Sequence, residues 1–228
     1  MDTTNKYFLP AAVIVAGLFI AGAVMWSGAR PNTGGTGTPP EQTADIKNVK
    51  TDGVPFIGSA SAQLTIAVWS DFQCPFCKQF EVNTLPQIVQ NYVDTGKVKV
   101  VFMDFAFLGP DSATAALYNR SVWNLYPNQY ATWRAAMFAA QDAEHTGFGN
   151  AASIDALNAT ISGLDAKAIT ADVRANTAAY QAAVDADKAE AQKIGVNATP
   201  SLLIGSTLIQ GAYPYANFES AIEAELRK

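Results

Sequence analysis

Cysteine is almost missing from this chain: its 228 residues hold only Cys74 and Cys77. One pair cannot make a disulfide framework, so a folded domain here must stand on its apolar core. Histidine is scarcer still, with His145 alone. A structural zinc site would have to be completed from that one histidine and carboxylates, and neither a metal nor another cofactor is expected. Charge is sparse at 15%, the net balance is -5, and the 15 lysines and arginines are scattered. Such a chain has no basic face for nucleic acid. Internal repeats are absent too. What is present is a 49% hydrophobic, 11% aromatic composition. That is too apolar for a chain disordered over most of its length, and it suits one domain with an insertion or two small ones.

The two cysteines form Cys74-Pro75-Phe76-Cys77, so all the thiol chemistry of the chain is confined to one motif. Leu64 to Trp69 before it reads as a buried strand, and Lys78 to Tyr92 after it carries Phe80, Ile88 and Tyr92 near helical spacing. The pair thus falls at a strand-to-helix junction. Free amides and the helix dipole stabilise a thiolate there, which predicts a low-pKa, exposed attacker at Cys74. Cys77, one turn in, is expected to be the more buried, resolving thiol. Pro75 suits the first helical turn, having no amide hydrogen to leave unpaired. A purely structural disulfide over so short a loop would stabilise the fold weakly, which weighs toward redox use.

Residues 7–26 carry no charge. Twenty such residues span a hydrocarbon core of roughly 30 Å as a helix, and Tyr7 and Trp26 stand where aromatic rings favour the interface. The expected reading is an N-terminal signal anchor over 1–26 that holds the protein in a lipid bilayer by residues 7–26, with the bulk exported. A cleaved signal peptide is the rival reading, since Ala21-Gly22-Ala23 and Ser27-Gly28-Ala29 supply small residues for processing. Residues 27–45, rich in Gly, Thr and Pro, predict a flexible linker.

Further strands are expected at Ile46 to Val49, Val98 to Phe105, Pro200 to Ile204 and Thr207 to Gln210, the last two joined through a tight turn at Gly205-Ser206. Within the second of these, Val100-Val-Phe-Met103 is apolar on both faces and marks a central strand. Between Asp111 and Ile194 the chain is alanine-rich with repeated helical spacing, punctuated at Gly163 and Gly195. Phe218, Ile222 and Leu226 form a last helical stripe. Glu81 and Asp71 read as solvated, Asp71 with the alternative of a helix cap. His145 reads as a surface cap at a helix end.

Gly195-Val-Asn-Ala-Thr-Pro200 before an apolar hairpin is the second informative stretch. With Trp69-Ser-Asp-Phe-Gln-Cys-Pro-Phe-Cys77, the long helical stretch and Ile209-Gln-Gly-Ala212, it makes the chain from Ile46 to Lys228 resemble the DsbA-like branch of the thioredoxin superfamily. The resemblance implies an α/β, thioredoxin-like fold over 46–110 and 196–228 with an inserted helical domain over 111–195, behind the transmembrane helix and linker. It implies a redox-active Cys74–Cys77 disulfide, with Cys74 as nucleophile and Cys77 as resolving thiol. Pro200 is then a cis-proline, and the Thr199 backbone pairs with an extended substrate, which Pro75 and Phe76 also border.

The activity so implied is extracytoplasmic thiol:disulfide exchange on exported cysteine-containing proteins, with a membrane redox partner to restore the enzyme. A redox-idle, peptide-binding module is the alternative, and its signature would be a missing cysteine. Two departures stand out. Val68 occupies the position where relatives often bury an acid, and Phe76 occupies that where the strongest oxidants carry histidine, so a milder oxidant is expected.

Overall fold

The computed structural model describes residues 44–144 and 146–228. In chain order its elements are β1 (Phe56–Ile57), β2 (Leu64–Ser70), α1 (Pro75–Asn83), α2 (Leu85–Ile88), β3 (Val98–Asp104), α3 (Pro110–Leu125), α4 (Tyr130–Ala140), α5 (Ala151–Asn158), α6 (Ala166–Lys193), β4 (Ser201–Ile204), β5 (Thr207–Gln210) and α7 (Tyr215–Leu226). The five strands form one sheet in the order β1-β3-β2-β4-β5. Only the central pair β2–β3 runs parallel, with Val68 opposite Phe102 and Ser70 opposite Asp104. The other pairs are antiparallel.

Alternation along β2 and β3 splits the interior in two. Ile66, Val68, Val100 and Phe102 pack with Phe72, Phe80, Trp133, Phe138 and Phe218 in the larger cluster. Ala67, Trp69, Val101, Met103 and Leu203 point the other way, toward Val49, Ala191 and Val196. Both faces of the central strands are covered, which is why these segments read as near-continuous apolar runs. Helices α3 to α6, between β3 and β4 in sequence, contribute Tyr118, Val122, Trp133 and Ile169 to the same core as the sheet.

Several boundaries differ from expectation for local reasons. Ile46 to Val49 is no strand. Residues Ile46–Asn48 make a 3-10 turn capped by the Asp45 side chain, which accepts from the Lys47 amide at 2.9 Å. The edge strand beside β3 is instead β1, two residues long and therefore invisible to periodicity. The helix expected from Lys78 to Tyr92 breaks at Thr84, because Pro86 lacks the amide that would continue it, and resumes as α2 with a π-turn over Val89–Val93. Gly195 does stop a helix, following the Ile194 cap of α6 with φ 77°, whereas Gly163, φ 87°, lies in the turn beyond α5, which has already ended at Asn158. The expected anchor at 7–26 and nearly all of the expected linker lie outside the described residues, as does His145. Among the described residues no helix is long and apolar enough to cross a membrane.

Candidate active site

The carboxyl end of β2 delivers the chain into a tight turn, closed where the Cys74 amide donates to the Asp71 carbonyl at 3.1 Å. Cys74 then becomes the N-cap of α1, with φ -79° and ψ 120°, and Pro75 opens the helix. The Lys78 amide donates to the Cys74 carbonyl at 3.1 Å as the first helical bond. Both cysteines are free thiols. Cys77 is fully buried, as expected, but the expectation of an exposed Cys74 fails: only 5% of it is accessible. The sequence placed it correctly at the helix end but could not show what folds over that end. Phe76 is the open side of the motif, at 61% exposed.

The cover is the loop before β4. The Thr199–Pro200 peptide is cis, and the Cys74 sulfur lies 3.5 Å from the Thr199 carbonyl, to which it donates when protonated. Pro200 is fixed in turn by the Gly211 amide, which donates to its carbonyl at 2.7 Å. Residues far apart in sequence therefore meet as the resemblance implied. The Thr199 hydroxyl is buried in the same loop.

The two thiols are electrostatically unlike. A hydrogen bond from the Cys77 thiol is the largest influence on Cys74; against burial, and helped by the Thr199 hydroxyl and the Cys77 and Phe76 amides, it lowers Cys74 from 9.0 to about 6. Burial pushes Cys77 well above its ordinary value, and the neighbouring Cys74 adds to the rise. At neutral pH the site holds one thiolate, on Cys74, and one thiol, on Cys77.

Two carboxylates contradict the sequence reading. Asp71, expected to be solvated or a helix cap, is 1% exposed. Its Oδ1 accepts from the Gln73 amide at 2.8 Å and the Ser112 hydroxyl at 2.6 Å, and its Oδ2 accepts from the amides of Phe107 and Leu108 at 2.9 and 3.2 Å. It thereby joins the cysteine turn to the start of α3, and its own backbone amide lies 3.5 Å from the Cys77 sulfur. Glu81, also expected in solvent, is buried against Arg134 of α4, whose Nε donates to it at 2.8 Å. Helical spacing located Glu81 on the face of Cys74 but could not know that α4 lies over that face.

Gln141 carried no sequence signal at all. It is buried at the end of α4, and its Nε2 donates to the carbonyls of Phe72 and Cys74 at 2.7 and 3.1 Å. Val68, where the resemblance implied that an acid is often buried, is inaccessible and apolar between Phe102 and Leu202. Among the described residues no three His, Cys, Asp or Glu side chains are grouped to hold a metal ion.

A helix-capping Cys-x-x-Cys after β2, facing a cis-proline at the start of the antiparallel neighbour β4, is a specific arrangement, and a sequence profile described as thioredoxin matches residues 50–224. The chain belongs to the thioredoxin family. It is 26% identical over 175 residues to disulfide bond formation protein D of Bacillus subtilis, covering 77% of this chain and 78% of that protein. The crystal structure of oxidised BdbD from Bacillus subtilis superposes with a TM-score of 0.72 at 25% identity, over 79% of this chain and 96% of that one. Chlamydia trachomatis DsbA shares the fold, with a TM-score of 0.67 at 19% identity, over 77% and 93% of the two chains. The DsbA-like resemblance seen in the sequence therefore holds. Within this family the chain is a thiol:disulfide oxidoreductase of the DsbA-like kind.

Proposed function

We propose that the protein works outside the cytoplasm, held to the membrane by residues 7–26, and introduces disulfides into exported proteins through Cys74. A substrate thiolate attacks the Cys74 sulfur of the Cys74–Cys77 disulfide. The S–S bond breaks and Cys77 leaves with the electron pair, taking up a proton as its high pKa requires. The substrate's second thiolate then attacks the substrate sulfur of the mixed disulfide and expels Cys74 as a thiolate. Two electrons have passed to the protein, and a membrane redox partner removes them. The Thr199 backbone and Pro200, with Pro75 and Phe76 at the rim, are the surface that receives the substrate segment.

The observation that carries this reading is the split between a Cys74 lowered to about 6 and a Cys77 raised by burial. A low-pKa thiol is the better leaving group, so the mixed disulfide opens readily at Cys74. The names of the relatives, disulfide bond formation proteins, favour the oxidising direction. The test is trapping. With Cys77→Ala, mixed disulfides between Cys74 and reduced exported proteins should persist on non-reducing gels, and with Cys74→Ala they should not. Equal trapping by both variants, or trapping by Cys74→Ala alone, reverses the assignment.

A further inference from the structure

Cys74 is held at its backbone by a residue from the other side of the molecule. Gln141, 5% exposed, is the C-cap of α4. An amide group offers two N–H donors, and Gln141 directs them to the Phe72 carbonyl at 2.7 Å and the Cys74 carbonyl at 3.1 Å, one on each side of Gln73. The contact is reciprocal. Lys78, one turn into α1, sends its ammonium group to the carbonyls of Gln141 and Ala139 at 2.6 and 3.4 Å, satisfying the end of α4. The two helices are thus tied together twice, and of the two side chains only that of Gln141 reaches the turn that carries the nucleophile.

We propose that Gln141 is a positioning residue for thiol–disulfide exchange, fixing the N-cap conformation of Cys74 that turns its sulfur toward the amides of Phe76 and Cys77. The assignment rests on Cys74 being the attacking thiol. The extended conformation at residue 74 sets where the sulfur sits against the first helical amides, and two of the carbonyls bordering that conformation end on Gln141. Without the amide, the Phe72 carbonyl becomes a buried acceptor lacking this partner, and the turn rotates to find another. The sulfur then moves off the amides that stabilise its charge. Mere helix capping does not require this geometry, because Lys78 already serves the end of α4.

The experiment follows alkylation of reduced protein against pH, with each cysteine resolved by mass spectrometry. In the native chain Cys74 must be the thiol that reacts at low pH; if Cys77 reacts there, the reading of the site fails before Gln141 is considered. Given that, Gln141→Met, near-isosteric without donors, should raise the Cys74 titration by about 1 pH unit, or about tenfold slower alkylation on its acid side. Gln141→Glu gives a second readout. Its carboxyl keeps one donor only while protonated, and once ionised it repels both carbonyls, so Cys74 should reach its alkylation plateau at a higher pH than in the native chain. If Gln141→Met does not fold, this shift decides. A Cys74 titration unchanged in the folded variant overturns the proposal and leaves Gln141 a tie between α1 and α4.

Discussion

One helical turn separates Cys74 from Cys77, and that turn decides which of them is charged. At the open end of α1 the sulfur meets the Cys77 thiol and two amides, and it ionises at about 6. One turn in, no water reaches the second sulfur and its proton stays. The consequence for stability has a definite sign. In the folded reduced protein Cys74 has lost its proton above about 6, whereas an unfolded chain keeps it to about 9. The unfolded state binds more protons in that window, so the reduced protein gains stability as pH rises from about 6 toward 9 and loses it as pH falls through 6. Above that window the raised Cys77 works in the opposite direction. The disulfide form has neither titration. Denaturant titrations of both forms over this range should show the reduced-minus-oxidised difference climbing with pH, and a flat difference would remove the lowered Cys74 from the account.

Elements are joined around the site by buried ionic side chains. Arg134 of α4 donates to Glu81 of α1 through Nε and Nη2 and to the Ser70 hydroxyl at 2.9 Å, with its guanidinium 3.9 Å from the Phe102 ring centroid and within 5.3 Å of those of Phe72 and Phe138. Burial raises Glu81 above the ordinary carboxylate range, and Arg134 only offsets part of that rise. Removing one partner therefore strands the other. Arg134→Met should cost about 3–5 kcal/mol of unfolding free energy, while Glu81→Leu with Arg134→Met together should cost less than the sum of the single changes. Additive losses in a double-mutant cycle would show that the pair is not coupled. Neither partner was legible in the sequence as half of a pair: Glu81 and Arg134 are 53 residues apart, and periodicity reports a face without naming what covers it.

Across the whole molecule a second buried cluster ties the helices to the far side of the sheet. Arg120 of α3 donates to Asp104, at the end of β3, at 2.7 Å, and also to Asp187 of α6. Asp187 accepts from the Asp104 amide at 2.7 Å, and its backbone carbonyl receives the Trp69 indole at 3.1 Å. Tyr130 donates to Asn119, which donates to Asp104. Burial lifts Asp187 to about 7 against the pull of Arg120. The sign is opposite to that of a salt-bridged carboxylate with a lowered pKa. The native state holds the proton between about 4 and 7 where the unfolded chain has released it, so this group makes stability fall as pH rises through that window. In the oxidised protein, where the thiols are silent, Asp187→Asn should remove this downward contribution. The test is the slope of unfolding free energy against pH from 4 to 7, which should be more positive in the variant; identical slopes would count against a raised Asp187.

Local chemistry was enough to place the reactive pair. A strand, a Cys-x-x-Cys and a helix opened by proline are consecutive in sequence, and their geometry follows from backbone rules that act over one turn. The hairpin through Gly205-Ser206 and the helix stop at Gly195 are equally local and were equally visible. The protonation of the pair is not local. Only the folded chain brings the Thr199–Pro200 loop over Cys74, directs Gln141 to its carbonyl, and closes Asp71 and Glu81 away from the solvent the sequence assigned them. Hydrophobic patterning sets which residues turn inward, but burial and hydrogen bonding depend on which inward faces meet. Those meetings join residues such as Cys74 and Thr199, 125 positions apart, and no spacing along the chain encodes them.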